Sequence, residues 1–238
     1  MTSASAPGCR SPRGWQPTLP DLLVIVPSRG RPDSVQRLWD RMRQTCRGDT
    51  RLLVSLDADD PAWGDYPGGP LYQTLWNTRG VVAHFNAAAT GWASKFRFVG
   101  ALGDDFLPGT DAWDTEIMEA LTETPLAYGN ERFPGRVPGE SVCHIFMRAE
   151  VVRALGYVGP PQFRHMYVDN CWAAWGKACG ITYLDGTVLE HLHFTVGKSA
   201  RDATYDQAMS FGDADRGAWD AYLAGGLAAD VAKIRAVT

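Results

Sequence analysis

Three short apolar runs, each followed by a polar loop, constrain the fold of this chain more than any other feature. They span residues 22–26, 52–56 and 96–102. A short continuous apolar run is typical of a strand covered on both faces, as in a parallel sheet flanked by helices. Apolar residues at helical spacing follow the first run, from Asp33 to Cys46. This alternation predicts an α/β fold with a mostly parallel sheet.

The rest of the chain is interpreted in the same way. A loop rich in proline and glycine at 61–70 precedes a predicted strand at 81–85. Further helices are predicted at 110–123, 148–155 and 169–179, and further strands at 141–147, 182–184 and 188–193. A polar segment at 195–205, expected to be mobile, precedes an amphipathic C-terminal helix.

Length and charge set the broad class of the protein. The 238 residues, 45% of them hydrophobic, are enough to bury the core of a single domain. We divide the chain into a flexible tail at 1–20, a main domain at 21–200 and a helical extension at 201–238. The net charge of −4 gives no sign of a dedicated nucleic-acid-binding protein. The first 51 residues are nevertheless rich in arginine, which is typical of a solvated helix face.

The cysteines and the apolar segments bear on location. The five cysteines are odd in number and include no Cys-x-x-Cys pair, which argues against a disulfide framework or a zinc ribbon. Reduced thiols indicate a cytoplasmic protein. The first twenty residues do not resemble a signal peptide, and no apolar run approaches the roughly 20 residues that cross a bilayer. We therefore expect no membrane insertion.

Two adjacent carboxylates, Asp104 and Asp105, stand where the third apolar run ends. Open α/β sheets bind ligands at the carboxyl ends of their strands. Carboxylate oxygens at that place suit Mg²⁺ or Mn²⁺, and such an ion commonly holds a diphosphate. The alternative is an ordinary turn before Pro108. The aspartates at 57–60, after the second run, favour the metal site.

The segment Glu190-His-Leu-His193 supplies a second set of candidate ligands. On a strand, His191 and His193 project to the same face. One imidazole would then ligate the ion, while the other orients it or contacts phosphate. Two half-buried histidines at a strand end are an equally good interpretation of this motif taken alone.

Three further candidates have strong alternatives. Asp169 precedes a predicted helix, so it is a general base or simply the helix N-cap, and spacing alone favours the cap. Arg29 and Arg31, in the loop after the first run, would neutralise a diphosphate or belong to an ordinary turn. Lys198 would close over phosphates from the polar segment, although a solvated lysine is the more common case.

In this order along the chain, the motifs resemble those of family-2-type glycosyltransferases with the GT-A fold. The short, single-domain members found in phages and bacteria are the most similar. The resemblance covers residues 21–200. It is carried by Pro27-Ser-Arg-Gly-Arg-Pro32, Asp57, Asn86, Gly103-Asp-Asp105, Val168-Asp-Asn170 and His191-Leu-His193.

The resemblance implies a role for each matched residue. Asp105 matches the last aspartate of the family's D-x-D motif, which binds Mn²⁺ or Mg²⁺ on the sugar-nucleotide diphosphate. Asp104 then lies near the ribose or the sugar. His193, with His191 as the other candidate, matches the histidine that ligates the metal. Asp169 matches the base of inverting members. The positions that cradle base and ribose, typically of a UDP-sugar, are Pro27, Ser28 and Asp57.

Two positions depart from the family pattern. Gly103 stands where many relatives have the first aspartate of the motif, which weakens the expected ribose contact. Asn170 follows Asp169 where many relatives have Glu-Asp.

The sequence therefore predicts a metal-dependent glycosyltransferase that moves a sugar from a nucleotide-diphosphate sugar to an acceptor hydroxyl, with inversion. The acceptor is left open among a modified DNA base, a protein, a glycan and a small molecule. A metal-dependent nuclease or phosphohydrolase could be built from the same aspartates and histidines. A non-catalytic module that binds a nucleotide or glycan is the other alternative.

Overall fold

A computed structural model describes residues 20–76 and 80–238 of the chain. The predicted tail at 1–20 lies outside the described residues except for Pro20. The strands are β1 (Leu22–Ser28), β2 (Thr50–Asp57), β3 (Leu71–Leu75), β4 (Phe98–Ala101), β5 (Phe106–Pro108), β6 (Leu126–Asn130), β7 (Ile145–Arg148) and β8 (Ile181–His191). The helices are α1 (Pro32–Thr45), α2 (Val81–Trp92), α3 (Trp113–Glu123), α4 (Ala149–Leu155), α5 (Val168–Cys179), α6 (Ala203–Met209), α7 (Gly212–Ala221) and α8 (Leu227–Arg235).

The described strands form one mixed sheet in the order β3-β2-β1-β4-β7-β6-β8-β5. β1 lies between β2 and β4 in this order and pairs in parallel with both. β7 runs antiparallel to its neighbours β4 and β6, and β8 runs parallel to β6. The predicted α/β class, with a mostly parallel sheet flanked by helices in a single domain, is confirmed.

The alternation of side chains along β1 divides the core between the two faces of the sheet. Leu23 and Ile25 pack with α2, α4 and α5 on one face. Leu22, Val24 and Val26 pack with α1 and α3 on the other. All five side chains are fully buried, as expected for a strand covered on both faces.

The predicted strand at 81–85 is wrong, because these residues begin helix α2. The two valines at the start of the segment match the pattern of a strand, but the alanine-rich sequence that follows favours a helix. Buried Val82, Phe85 and Ala89 recur every three or four residues, which is the helical period. The third parallel strand is β3 instead, a half-exposed edge strand directly after the 61–70 loop. Because β3 mixes polar and apolar residues, it contains no continuous apolar run by which the sequence could have predicted it.

The boundaries of β8 and α5, which carry site residues, also differ from the prediction. The strands predicted at 182–184 and 188–193 are one continuous strand, β8, which ends at His191 and leaves His193 beyond it. Helix α5 begins at Val168 and has Tyr167 at its N-cap position. Asp169 therefore lies in the first turn and is not the N-cap that its spacing favours.

Residues after 200 pack against the helices that cover the sheet. α8 lies against α4 and α5. Buried Asp230 of α8 accepts hydrogen bonds from the hydroxyls of Tyr157 and Tyr222, at 2.6 and 2.7 Å. Among the described helices, none combines the length and apolar character needed to span a bilayer.

Candidate functional site

The carboxyl ends of β1, β2 and β4 open into one cleft with a volume of about 340 Å³. This position follows from the parallel pairing, which brings the loops after these strands to the same edge of the sheet. The predicted site residues that line the cleft are Pro27, Ser28, Arg29, Arg31, Asp57, Asp104, Asp105, Asp169, His191 and His193.

Lys198 does not line this cleft. Its ammonium group donates to the carbonyl oxygen of Arg132, at 2.8 Å, and pairs with Glu190, at 2.9 Å. It borders a neighbouring cavity together with Arg37 and Ser199. Arg31 and Asp105 border that cavity as well, but Glu190 and the carbonyl oxygen of Arg132 bind the ammonium group.

Asp104 lies at the floor of the cleft and is held from two sides. The hydroxyl of Ser28 donates to Oδ2 at 2.6 Å, and Nη1 of Arg31 donates to Oδ1 at 2.9 Å. Only 6% of Asp104 is exposed. Burial raises the pKa of this carboxyl, the charge of Arg31 opposes the rise, and the charge of Asp105 adds to it. Arg31 also binds Asp202 through two bonds, which ties the C-terminal segment to the strand ends.

Asp105 faces the histidines and the C-terminal segment. His191 Nε2 lies 3.3 Å from its Oδ2, and the Tyr205 hydroxyl donates to the same oxygen at 2.8 Å. Burial alone would raise the pKa of Asp105, but the hydrogen bonds from His191 and Tyr205 and the charge of Arg31 outweigh it. The pKa therefore lies below its usual range, and Asp105 is an anion that can act as a ligand near neutral pH.

Asp105, His191 and His193 each offer one ligand atom, and these atoms lie within 4.8 Å of one another. Thr195 contacts Nδ1 of His193 twice, with Oγ1 at 2.8 Å and with its donating backbone N–H at 3.3 Å. In the tautomer in which Oγ1 accepts the Nδ1 proton, the lone pair of Nε2 is left for an ion. Burial and the nearby charge of His191 lower the pKa of His193 to about 4, so its imidazole is neutral. One carboxylate with imidazole ligands suits Mn²⁺ better than Mg²⁺, which prefers oxygen. The residues fit a divalent transition metal.

A second set of potential ligand atoms comprises Glu131, Cys143 and His191. His191 Nδ1 is buried there without a hydrogen-bond partner among the described residues. The guanidinium of Arg136 contacts both Glu131 and Cys143, and its positive charge disfavours a cation. Burial also raises the pKa of the Cys143 thiol, which keeps it protonated. This set therefore holds a guanidinium rather than a metal ion.

A chain of hydrogen bonds orients Asp57 at the other end of the cleft. His84 Nε2 lies 3.1 Å from Oδ1 of Asp57, and Nδ1 of the same ring lies 2.8 Å from the hydroxyl of Ser55. Gln73 donates to that hydroxyl at 2.9 Å, and Arg29 donates to Oδ2 of Asp57 at 3.1 Å. A proton on Nε2 of His84 lets the ring donate to Asp57 and accept from Ser55, which fixes the direction of the carboxylate.

Asp169 lies on the first turn of α5 and borders the cleft. The hydroxyl of Ser141 donates to its Oδ2 at 2.9 Å, and the backbone N–H of Asn170 donates to its Oδ1 at 2.9 Å. Each oxygen retains a lone pair, because a carboxylate oxygen can accept two hydrogen bonds. Asp169 is thus anchored and still able to accept a proton.

Sequence reasoning missed several residues of the cleft. His84 was hidden in the segment interpreted as a strand. Tyr205, which lines the cleft, and Asp202, which pairs with Arg31, lie in the segment predicted to be polar and mobile, where Lys198 was the only candidate named. The N-cap rule offered a signal there, because Asp202 precedes α6 and accepts the backbone N–H of Tyr205. His165, which also lines the cleft, carried no recognisable motif.

Compared by sequence, the chain matches no protein-family model and no curated protein. Its structure is similar to many solved ones. The mannosyltransferase PcManGT from Pyrobaculum calidifontis, in complex with GDP-Man and Mn²⁺, has a TM-score of 0.57 at 13% identity, over 93% of this chain and 74% of that one. Glucosyl-3-phosphoglycerate synthase from Mycobacterium tuberculosis, in complex with Mn²⁺, UDP and glucosyl-3-phosphoglycerate, has a TM-score of 0.56 at 13% identity, over 80% and 76%.

The chain has the GT-A glycosyltransferase fold. TarS from S. aureus agrees, with a TM-score of 0.55 at 13% identity over 71% of this chain and 36% of that one. This fold was expected from the order of the motifs, and the structural similarity confirms it. At such low identity the similarity defines the fold, and the chemistry has to be argued from the cleft itself.

Proposed function

We propose that this GT-A protein is a Mn²⁺-dependent glycosyltransferase of the family-2 type. It transfers a sugar from a nucleotide-diphosphate sugar, with UDP-sugars as the first candidates, to an acceptor hydroxyl with inversion. The clustering of ligand atoms from Asp105, His191 and His193 at the strand ends carries the proposal. The reduced cysteines favour a cytoplasmic reaction, in the host cytoplasm if a phage encodes the protein.

The cleft has separate regions for the parts of a donor. Asp57, oriented by His84, lies at the end of β2 and suits a nucleoside, with Pro27 and Ser28 beside it on β1. Arg29 and Arg31 add positive charge near the expected diphosphate. The similar structures that were solved with GDP-Man or UDP also contain Mn²⁺, which supports the same pairing here.

The residues around Asp105 prepare the site for a leaving diphosphate. Asp105 is held ionised, and Thr195 orients His193, so both groups are positioned before the donor binds. When bound between them, Mn²⁺ would offset the negative charge that develops on the leaving diphosphate. Arg31, at 2.9 Å from Asp104, adds a fixed positive charge to the same region.

Asp169 is the proposed general base. Ser141 and the Asn170 backbone each hold one of its oxygens, and the remaining lone pairs can accept the proton of an acceptor hydroxyl. α6, through Thr204 and Tyr205, forms a wall of the cleft. That wall limits the access of water, which would otherwise compete with the acceptor.

The test measures release of nucleoside diphosphate from UDP-, GDP- and dTDP-sugars in the presence of Mn²⁺. Wild-type protein should release the diphosphate from one donor class, and Asp105→Asn should abolish release while remaining folded. Asp40→Asn, a change of the same kind at a half-exposed position on α1, is the matched control. Near-normal turnover by Asp105→Asn would refute the metal assignment.

The same assay separates the alternatives. A nuclease or phosphohydrolase would cleave a nucleic acid or a phosphate ester with Mn²⁺ and would release no UDP from a UDP-sugar. A non-catalytic module would bind UDP and Mn²⁺ without turnover. A modified DNA base, a protein, a glycan and a small molecule can then be compared as acceptors with the donor that the assay identifies.

A further inference from the structure

Three successive backbone N–H groups converge on one buried carboxylate next to the cleft. The amides of Arg164, His165 and Met166 donate to Asp215 of α7 at 3.0, 2.8 and 2.7 Å. Only 1% of Asp215 is exposed. Successive amides that point into one concavity form an anion-binding nest, and here a side chain of the same protein fills it.

The nest holds a segment whose backbone turns sharply. Tyr167, the next residue, has a φ of +66°, which is uncommon for a residue other than glycine and persists only where its surroundings enforce it. The carbonyl oxygen of Arg164 accepts the backbone N–H of Val82 at the start of α2, at 3.2 Å. The segment is therefore held by α7 on one side and by α2 on the other.

The segment leads directly into the proposed catalytic residue. His165 and Met166 line the cleft, and after Tyr167 the chain enters the first turn of α5, which carries Asp169. A displacement of residues 164–166 would therefore move Asp169 and the adjacent wall of the cleft. Asp215 itself lies in the 201–238 extension, beyond every motif identified in the sequence.

We propose that Asp215 is a positioning residue that fixes Asp169 and the wall formed by His165 and Met166 against the bound donor. This inference rests on the proposed glycosyl transfer. Asp215 acts through the backbone and does not touch the strand-end residues Asp57, Asp104 and Asp105. Its loss should therefore slow the chemical step and leave donor binding intact.

The experiment compares Asp215→Asn with Asp213→Asn, an exposed change on the same helix. Asparagine keeps the shape but turns an N–H donor toward at least one of the three amides. Steady-state kinetics would use whichever of UDP-glucose and GDP-mannose the wild type turns over faster with Mn²⁺, and calorimetry would give the affinity and stoichiometry for the matching nucleoside diphosphate. Hydrogen exchange would follow the amides of residues 164–169.

For Asp215→Asn we expect kcat to fall at least tenfold, because a misplacement of about 1 Å can cost about 100-fold. The donor KM and the nucleotide Kd should stay within twofold, with unchanged stoichiometry and faster exchange at residues 164–169. A purely structural role would reduce the binding stoichiometry together with kcat. That result, or a kcat equal to that of Asp213→Asn, would overturn the proposal.

Two other outcomes are also decisive. If Asp215→Asn does not fold, exchange in the wild type decides, because the amides of residues 164–166 must be protected without any ligand, and rapid exchange would overturn the proposal. If the wild type turns over no nucleotide sugar, the proposed function fails. Nucleotide binding and amide exchange in the two variants would then still show whether Asp215 fixes this wall independently of the donor site.

Discussion

Replacing Thr195 with valine should weaken Mn²⁺ binding without changing the fold. Thr195 Oγ1 lies 2.8 Å from Nδ1 of His193 and can accept the Nδ1 proton, whereas the backbone N–H of the same residue can only donate to Nδ1. Valine preserves the β-branched shape but removes the acceptor. The backbone N–H of residue 195, 3.3 Å from Nδ1, then favours the tautomer with the proton on Nε2, which leaves no lone pair for the ion.

The size of the effect follows from the position of the pair. Losing an outer-shell hydrogen bond to a ligating histidine costs about 10- to 100-fold in metal affinity. His193 is half-buried but Thr195 is exposed, so water replaces part of the lost contact. We therefore expect a loss of about tenfold, or about 1.4 kcal/mol.

Isothermal titration with Mn²⁺ and UDP measures this change directly. Thr204→Val is the matched control, because Thr204 lines the same cleft but donates to the backbone oxygen of Arg29 and not to a candidate ligand. Thr204→Val should bind Mn²⁺ like the wild type. If Thr195→Val also binds within twofold of the wild type, His193 does not ligate the ion in the way argued here.

Three more predictions address the base, the pH response and Lys198. Asp169→Asn should lower kcat for nucleotide release by about 100- to 10,000-fold with an unchanged donor KM; a normal kcat would exclude it as the base. Burial and His191 lower the pKa of His193 to about 4, so unfolding takes up a proton below about pH 6.5. Urea titrations would give the free energy of unfolding of the metal-free wild type minus that of His193→Asn. This difference should be constant above pH 6.5 and should fall as the pH is lowered toward 4. A rise over that range would contradict the prediction. Lys198→Met should change the donor KM less than twofold, because Glu190 holds the ammonium outside the cleft. A tenfold rise in the donor KM would instead indicate that Lys198 binds the donor phosphates.

The sequence predicted the parts of the site that depend on local pattern. The run at 22–26 is a buried central strand because both of its faces are covered, and a continuous apolar pattern expresses that condition. The parallel pairing of the strands also predicted that Ser28, Asp57 and Asp105 would lie at the same edge of the sheet. Strand order is a general rule of α/β folds, so it could be applied without coordinates.

Other features depend on contacts between residues that are distant in the sequence. Val81–Trp92 starts like a strand and continues like a helix, and its packing against β1 decides between the two periods. His193 lies beyond the end of β8, so its closeness to His191 comes from the path of the chain after the strand. Asp215 meets an amide about fifty residues earlier in the chain, and no local motif announces such a contact.

The central claim is that one divalent cation binds Asp105 and His193, just beyond the carboxyl ends of β4 and β8. Anomalous diffraction at the manganese edge, from crystals grown with Mn²⁺ and UDP, tests it most directly. The account predicts one strong peak in contact with Asp105 and His193, with the diphosphate on its other side. A peak at another set of residues, or bound UDP with no peak beside Asp105, would contradict it.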